Sequence, residues 1–185
     1  MVGGFVMAKE ALLIVDMSND FVHDEGSLTA GRAAQAIVPY IVELADRMVR
    51  DGQIVAVCMD EHQEGDPHFL DWPPHNVKGT WGQQLYGDLA TWYDRERDRD
   101  SVMYVPKASY NAFSGTDLAV RLRAFGVERV HIVGVCTDIC DFLTAGGAYD
   151  AGFATVVHRA GCATFTDQGE LFLEHMQRCF HTEIV

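Results

Sequence analysis

The sequence predicts an α/β fold, a three-layer αβα sandwich around a central, mostly parallel sheet. Two observations carry this. Apolar runs of strand length alternate with helical patterns along the chain. The runs are also continuously apolar, which marks strands covered on both faces. With 185 residues, 48 % of them hydrophobic, the chain can fill one core. The expected organisation is a single domain over 1–185, with residues 1–10 as a loose N-terminal leader.

The elements follow in order. Residues 11–17, ALLIVDM, read as the first strand, with Asp16 at its end. A turn-rich stretch runs from Asn19 to Ser27. Residues 33–53 place Ile37, Ile41, Leu44, Ala45 and Met48 at helical spacing, and Gly52 closes that helix. The second strand, IVAVCMD (54–60), ends in Asp60. Residues 61–82 form a long loop rich in Pro, Gly and His, a type that in compact domains is usually functional or disordered. Residues 93–101, YDRERDRDS, read as a solvated surface segment. VMYVP (102–106) is the third strand and leads into Lys107. A short helix over 116–126 stops at Gly126, and RVHIVGV (129–135) is the fourth strand. The next helix spans 137–152, started by Thr137 or Asp138. A fifth strand (153–161), a last helix (167–180) and a short edge strand (182–185) complete the chain.

Composition excludes several function classes. The formal net charge is −13, from 27 acidic and 14 basic residues. Phosphate backbones and anionic lipid heads repel such a chain, so neither nucleic acid nor a membrane surface is an expected partner. No apolar run approaches the ~20 residues of a membrane helix. The N-terminus lacks the pattern of a secretory signal. Five scattered cysteines, an odd number, fit reduced thiols and a cytoplasmic location.

In doubly wound folds, ligands bind beyond the carboxyl ends of the strands. Here those ends carry Asp16, Asp60, Lys107 and the segment 134–140, GVCTDIC. Cys140 falls in the first turn of a predicted helix. Unpaired N–H groups and the helix dipole would there lower a thiol pKa and favour a nucleophile. The alternative is a small packing residue. Cys136 and Cys140 are spaced C-x3-C, not the C-x2-C of zinc ribbons and thioredoxin-type motifs. Asp16 reads as a proton acceptor or a turn cap, and Lys107 as its cationic partner or a surface lysine. The loop residues Asp60, His62, His68 and His75 suit a divalent metal with carboxylate and imidazole ligands. Glu61, Glu64, Asp66 and Asp71 are alternative ligands, and a polar loop with scattered histidines is the other reading. Trp72, beside Pro73 and Pro74, is a stacking wall or a core aromatic.

Four stretches, LLIVDMSNDF (12–21), DEHQEGDPHFLDWPPHNVKGT (60–80), VPKASYNAFSGTDL (105–118) and GVCTDICDFLTAGGAYDAGF (134–153), together resemble the isochorismatase-like cysteine hydrolases. The D-x-H loop with W-P-P-H narrows the resemblance to the nicotinamidases. It implies an isochorismatase-like, Rossmann-like sandwich. It also implies hydrolysis of nicotinamide, and of pyrazinamide-like analogues, to the acid and ammonia through a cysteine thioester, a step of NAD salvage. By the same resemblance Asp16, Lys107 and Cys140 are the catalytic triad. Asp60, His62 and His75 bind one divalent metal, zinc first, with iron or manganese equally compatible in ligand type. His68 stands where some members have a fourth ligand. Phe21, Trp72 and Val135 contact the substrate. A cis peptide between Val135 and Cys136 aims the Cys136 N–H, with that of Cys140, at the oxyanion. The oligomeric state stays open, a homo-oligomer included.

The sequence departs from the family pattern at three places. Ser18 stands where many members have Gln, the stretch between His62 and His75 is short, and Asp141 follows Cys140 where an apolar residue is usual. A carboxylate there would raise the thiol pKa unless it points to solvent. Rival readings are another amidase or enol-ether hydrolase of the superfamily, a non-catalytic binding protein of the same fold, and a thiol redox sensor using Cys136 and Cys140.

Overall fold

The computed structural model describes residues 9–185. The leader expected over 1–10 lies outside the described residues as far as residue 8, and Lys9 and Glu10 already belong to the first strand. Among the described residues six strands form one sheet: β1 (Lys9–Val15), β2 (Ile54–Asp60), β3 (Val102–Lys107), β4 (Val127–Val135), β5 (Ala154–Ala163) and β6 (Glu183–Ile184). Their order is β3-β2-β1-β4-β5-β6 and every neighbouring pair is parallel. The strand order reverses direction at β1, so the crevice beyond β1 and β4 is where this architecture places ligands.

Helices cover both faces, which explains why β1 and β2 are apolar at consecutive positions. On one face lie α2 (Gly31–Arg50) and α3 (Gly87–Glu96), with α1 (Asn19–Val22) leading in. Ile37, Ile41, Leu44 and Met48 of α2 pack on Leu12, Ile14, Val55 and Val57. On the other face lie α4 (Leu118–Ala124), α5 (Phe142–Asp150) and α6 (Gly169–Phe180), packed on Leu13, Val15, Ala56 and Ile132. Each large aliphatic side chain buried this way stabilises the fold by about 1.5–3 kcal/mol.

Three differences from the expected elements matter. The helix α3 takes in the start of the stretch expected to be solvated. Trp92 and Glu96 are buried, the Trp92 indole N–H donates to Asp46 of α2 at 3.0 Å, and Arg95 and Arg99 both pair with Glu96. The charges anchor a helix there. The turn-rich stretch holds α1, capped by the Ser18 hydroxyl accepting from the Phe21 N–H at 3.3 Å. The helix after β4 begins as one π turn, Thr137–Asp141, before α5.

Strand register then assembles the candidate site. Asp60 stands opposite Lys107 across β2–β3, and Val15 opposite Gly134 across β1–β4. A Cβ on Gly134 would lie 2.0 Å from the Val15 carbonyl oxygen. Only glycine lets β4 pass this close to the end of β1.

Candidate active site

Asp16 follows directly on β1. It takes a left-handed φ of 57°, so the strand stops at Val15, one residue before the carboxylate. Aspartate is among the few residues that tolerate this region, at a cost of about 1–2 kcal/mol. Two contacts hold it: Oδ1 accepts from the Asp60 N–H at 2.7 Å, and Oδ2 lies 2.7 Å from Lys107 Nζ. Both side chains are fully buried, and Asp60 Oδ1 is a second, longer partner for Lys107 at 3.7 Å. Burial pushes the Asp16 carboxyl above its ordinary pKa and Asp60 adds to this, against the pull of Lys107. Burial opposes the charge on Lys107, but Asp16, Cys140 and Asp60 outweigh it and hold the ammonium above the usual lysine range. The result is a carboxylate of heightened basicity tied to a permanent cation.

Cys140 sits in the π turn with its thiol beside Asp16. The lowered pKa expected from a helix N-terminus is not what the structure shows. Cys140 is buried, and burial pushes the thiol well above its ordinary value. Lys107 pulls it down, and Asp16 and Asp60 push it up again. Desolvation leads here because the thiol is buried rather than exposed at the helix start. The resting group is therefore a thiol with a base in place. The peptide between Val135 and Cys136 is cis. Asp141 does not point to solvent. It is fully buried, and burial pushes its pKa up to about 8 against the pull of the neighbouring Cys162 thiol.

Asp60, His62, His68 and His75 converge. His62 Nε2 is 3.0 Å, and His75 Nε2 3.3 Å, from Asp60 Oδ2. One ligand nitrogen each of His62, His68 and His75 lie within 4.8 Å of one another. Tetrahedral zinc with bonds of about 2.1 Å separates its ligand atoms by about 3.4 Å. The tautomers agree. His62 Nδ1 bonds Asp66 Oδ2 at 3.0 Å and His75 Nδ1 bonds the Pro73 carbonyl at 2.7 Å, so both rings turn Nε2 inward. His62 Nε2 is buried without a hydrogen bond, facing a carboxylate oxygen. With Nδ1–H given to Asp66, Nε2 and the carboxylate oxygen are two acceptors face to face, joined either by a proton on Nε2 or by a metal cation, and these donors fit a divalent ion. Of the alternative ligands, Asp66 is engaged through the far side of His62, Glu61 pairs with Lys78 at 2.8 Å, and Glu64 and Asp71 are exposed.

A cavity of ≈ 50 Å³ lies between the histidines and Cys140. At the ~10–15 Å³ one water occupies, this admits only a small molecule. Phe21, Trp72 and Val135 line it, with Tyr110, Ile139 and Phe165 in addition. The lining contains no arginine or lysine. The Trp72 indole N–H donates to the Tyr110 hydroxyl at 3.0 Å, which fixes the indole as a wall of the slot. Asn76 was not singled out from sequence, yet it is buried and its amide donates to Asp60 Oδ2 at 3.3 Å. Its positive φ of 45° suits Asn, and its place after W-P-P-H was the one available signal.

Comparison with known proteins agrees with this geometry. The Isochorismatase domain family matches residues 10–184. The isochorismatase family protein PncA of Bacillus subtilis is 39 % identical over 180 residues, covering 95 % of this chain and 98 % of that protein. A crystal structure of pyrazinamidase/nicotinamidase from Streptococcus mutans superposes with a TM-score of 0.93 at 39 % identity, covering 96 % of this chain and all of that one. Pyrazinamidase of Pyrococcus horikoshii in complex with zinc gives a TM-score of 0.85 at 31 % identity, covering 96 % of this chain and 98 % of its own.

Proposed function

The chain belongs to the isochorismatase family, and within it we propose that it is a nicotinamidase, a cysteine amidohydrolase converting nicotinamide to nicotinic acid and ammonia. The observation that carries this reading is the Cys140 thiol beside the Asp16–Lys107 pair, on the floor of an apolar slot that opens onto the histidine cluster. An uncharged aromatic amide fits a slot without arginine or lysine. A substrate bearing several carboxylates does not.

In this mechanism Asp16 takes the proton of Cys140 as sulfur attacks the carboxamide carbon. Lys107 keeps Asp16 ionised beforehand. The raised thiol pKa is compatible with this, because proton transfer and attack are then coupled and no free thiolate is needed. The backbone N–H groups of Cys136 and Cys140 meet the oxyanion, an interaction worth about 3–4 kcal/mol per donor in comparable sites. Asp16 returns its proton to the departing ammonia, and water hydrolyses the thioester. Phe21 and Trp72 hold the ring between them. Asp60, His62, His75 and His68 would hold one divalent ion, zinc by preference, which when bound supplies a Lewis-acidic charge that orients the ring through its nitrogen. Pyrazinamide, with nitrogen at the same ring position, is the expected second substrate.

The test is ammonia and nicotinic acid release from nicotinamide by purified, zinc-loaded protein under reducing conditions. Absence of both products overturns the assignment.

A further inference from the structure

His62 and His75 are oriented by different means. A backbone carbonyl, that of Pro73, fixes His75. A side chain, Asp66, fixes His62, and the same carboxylate does a second task. Oδ2 bonds His62 Nδ1 at 3.0 Å while Oδ1 accepts from the backbone N–H of His68 at 2.9 Å. That second bond caps the single 3₁₀ turn Pro67–Leu70 on which His68 rides. The outcome is visible in the rings: His62 and His68 stack with centroids 4.8 Å apart and planes within 7°.

We propose that Asp66 is a positioning residue for the divalent-ion site, setting the tautomer and plane of His62 and seating His68 against it, so that the site is assembled before an ion arrives. The inference rests on reading the histidine cluster as a metal site, and it concerns a residue that sequence spacing offered only as an alternative ligand. An imidazole whose Nδ1–H is held by a carboxylate is a stronger donor at Nε2. Between Asp60 and His75 the only regular backbone is that one turn; the Asp71 and Trp72 N–H groups close its far end on the His68 carbonyl, and the Asp66 side chain is what ties it to His62.

The experiment measures the affinity for Zn²⁺ alone, by competition with a chromophoric chelator, in wild type, Asp66→Ala, Asp66→Asn and Glu64→Ala. Loss of a carboxylate behind a ligating histidine weakens metal binding by about 10–100-fold, and that is the change expected for Asp66→Ala. Asp66→Asn should fall between, since one amide oxygen can accept from His62 or from His68 but not from both. Glu64 is an exposed acid of the same loop and should change affinity by less than about twofold. The Co²⁺-loaded protein should show altered visible bands in Asp66→Ala, a signature of changed ligand geometry that general loosening of the loop away from the metal would not give. If Asp66→Ala folds poorly, the isosteric Asp66→Asn carries the comparison. Zinc affinity within twofold of wild type in Asp66→Ala, or an equal loss in Glu64→Ala, overturns the inference. No substrate enters these measurements, so failure of nicotinamide hydrolysis is a separate result.

Discussion

Lys107 Nζ lies 2.7 Å from Asp16 Oδ2, and neither side chain reaches solvent. A pair this deep makes little net contribution to stability, because desolvating two charges costs about as much as their attraction returns. Breaking it is another matter. Lys107→Met leaves Asp16 buried without its cation and therefore protonated, useless as a base. The expected result is a fall in kcat of at least about 100-fold together with a loss of about 3–5 kcal/mol in stability. The double variant Asp16→Asn/Lys107→Met should regain most of the stability and none of the activity. Urea denaturation beside steady-state kinetics checks both, and additive stability losses would contradict the pairing.

Cys140 should behave as a buried thiol rather than a preformed thiolate. Its pKa is raised, so alkylation by iodoacetamide at neutral pH should be slow and should keep accelerating as pH rises past the ordinary thiol range. A plateau below pH 8 would show a stabilised thiolate instead. Cys140→Ala should abolish turnover while leaving divalent-metal affinity unchanged, because the sulfur lies outside the histidine cluster.

Trp72 depends on Tyr110 for its orientation. Tyr110→Phe removes the hydroxyl that accepts from the indole and leaves the ring volume in place. A neutral hydrogen bond of this kind is worth about 0.5–1.5 kcal/mol. KM for nicotinamide should therefore rise about two- to tenfold, with kcat within a factor of two. A fall in kcat at constant KM would instead give Tyr110 a role in the chemical step.

The strands were legible because each one buried on both faces leaves a continuous apolar run, and the register then had to bring Asp16, Asp60, Lys107 and Cys140 to one edge. Helix α3 was not legible in the same way. Its buried positions, Leu89, Trp92 and Glu96, include a charge neutralised by its neighbours Arg95 and Arg99, and the helix is anchored by Trp92 and Arg95 on Asp46 of α2, a contact 46 or more residues away that no local pattern shows. The parts of the site built on loop geometry were equally hidden. Nothing in the spacing of Asp66, Asn76 or Tyr110 signals the atoms they meet, because an irregular loop has no period from which facing can be read. The thiol pKa of Cys140 was misjudged for a related reason: a helix start is visible in sequence, but its depth is not.

Asp141 gives a prediction whose sign can be worked out. Its carboxyl is fully buried and its pKa is pushed up to about 8, from an ordinary value near 3.8. Between those two values the folded chain keeps the proton that the unfolded chain has released. Folding then takes up a proton, and stability falls as pH rises through that window by up to about 1.4 kcal/mol per pH unit. Above about pH 8 both states are ionised and the loss is complete. Asp141→Asn mimics the protonated acid and cannot titrate. Its stability relative to wild type should therefore climb steadily from pH 5 to pH 8 and then level off. The slope is the informative quantity, since the amide and the acid differ by a constant offset that packing alone could set. Urea unfolding of both proteins at pH 5, 6, 7, 8 and 9 measures it, and a difference that does not vary with pH would mean that Asp141 is not held as a neutral acid beneath the nucleophile's turn.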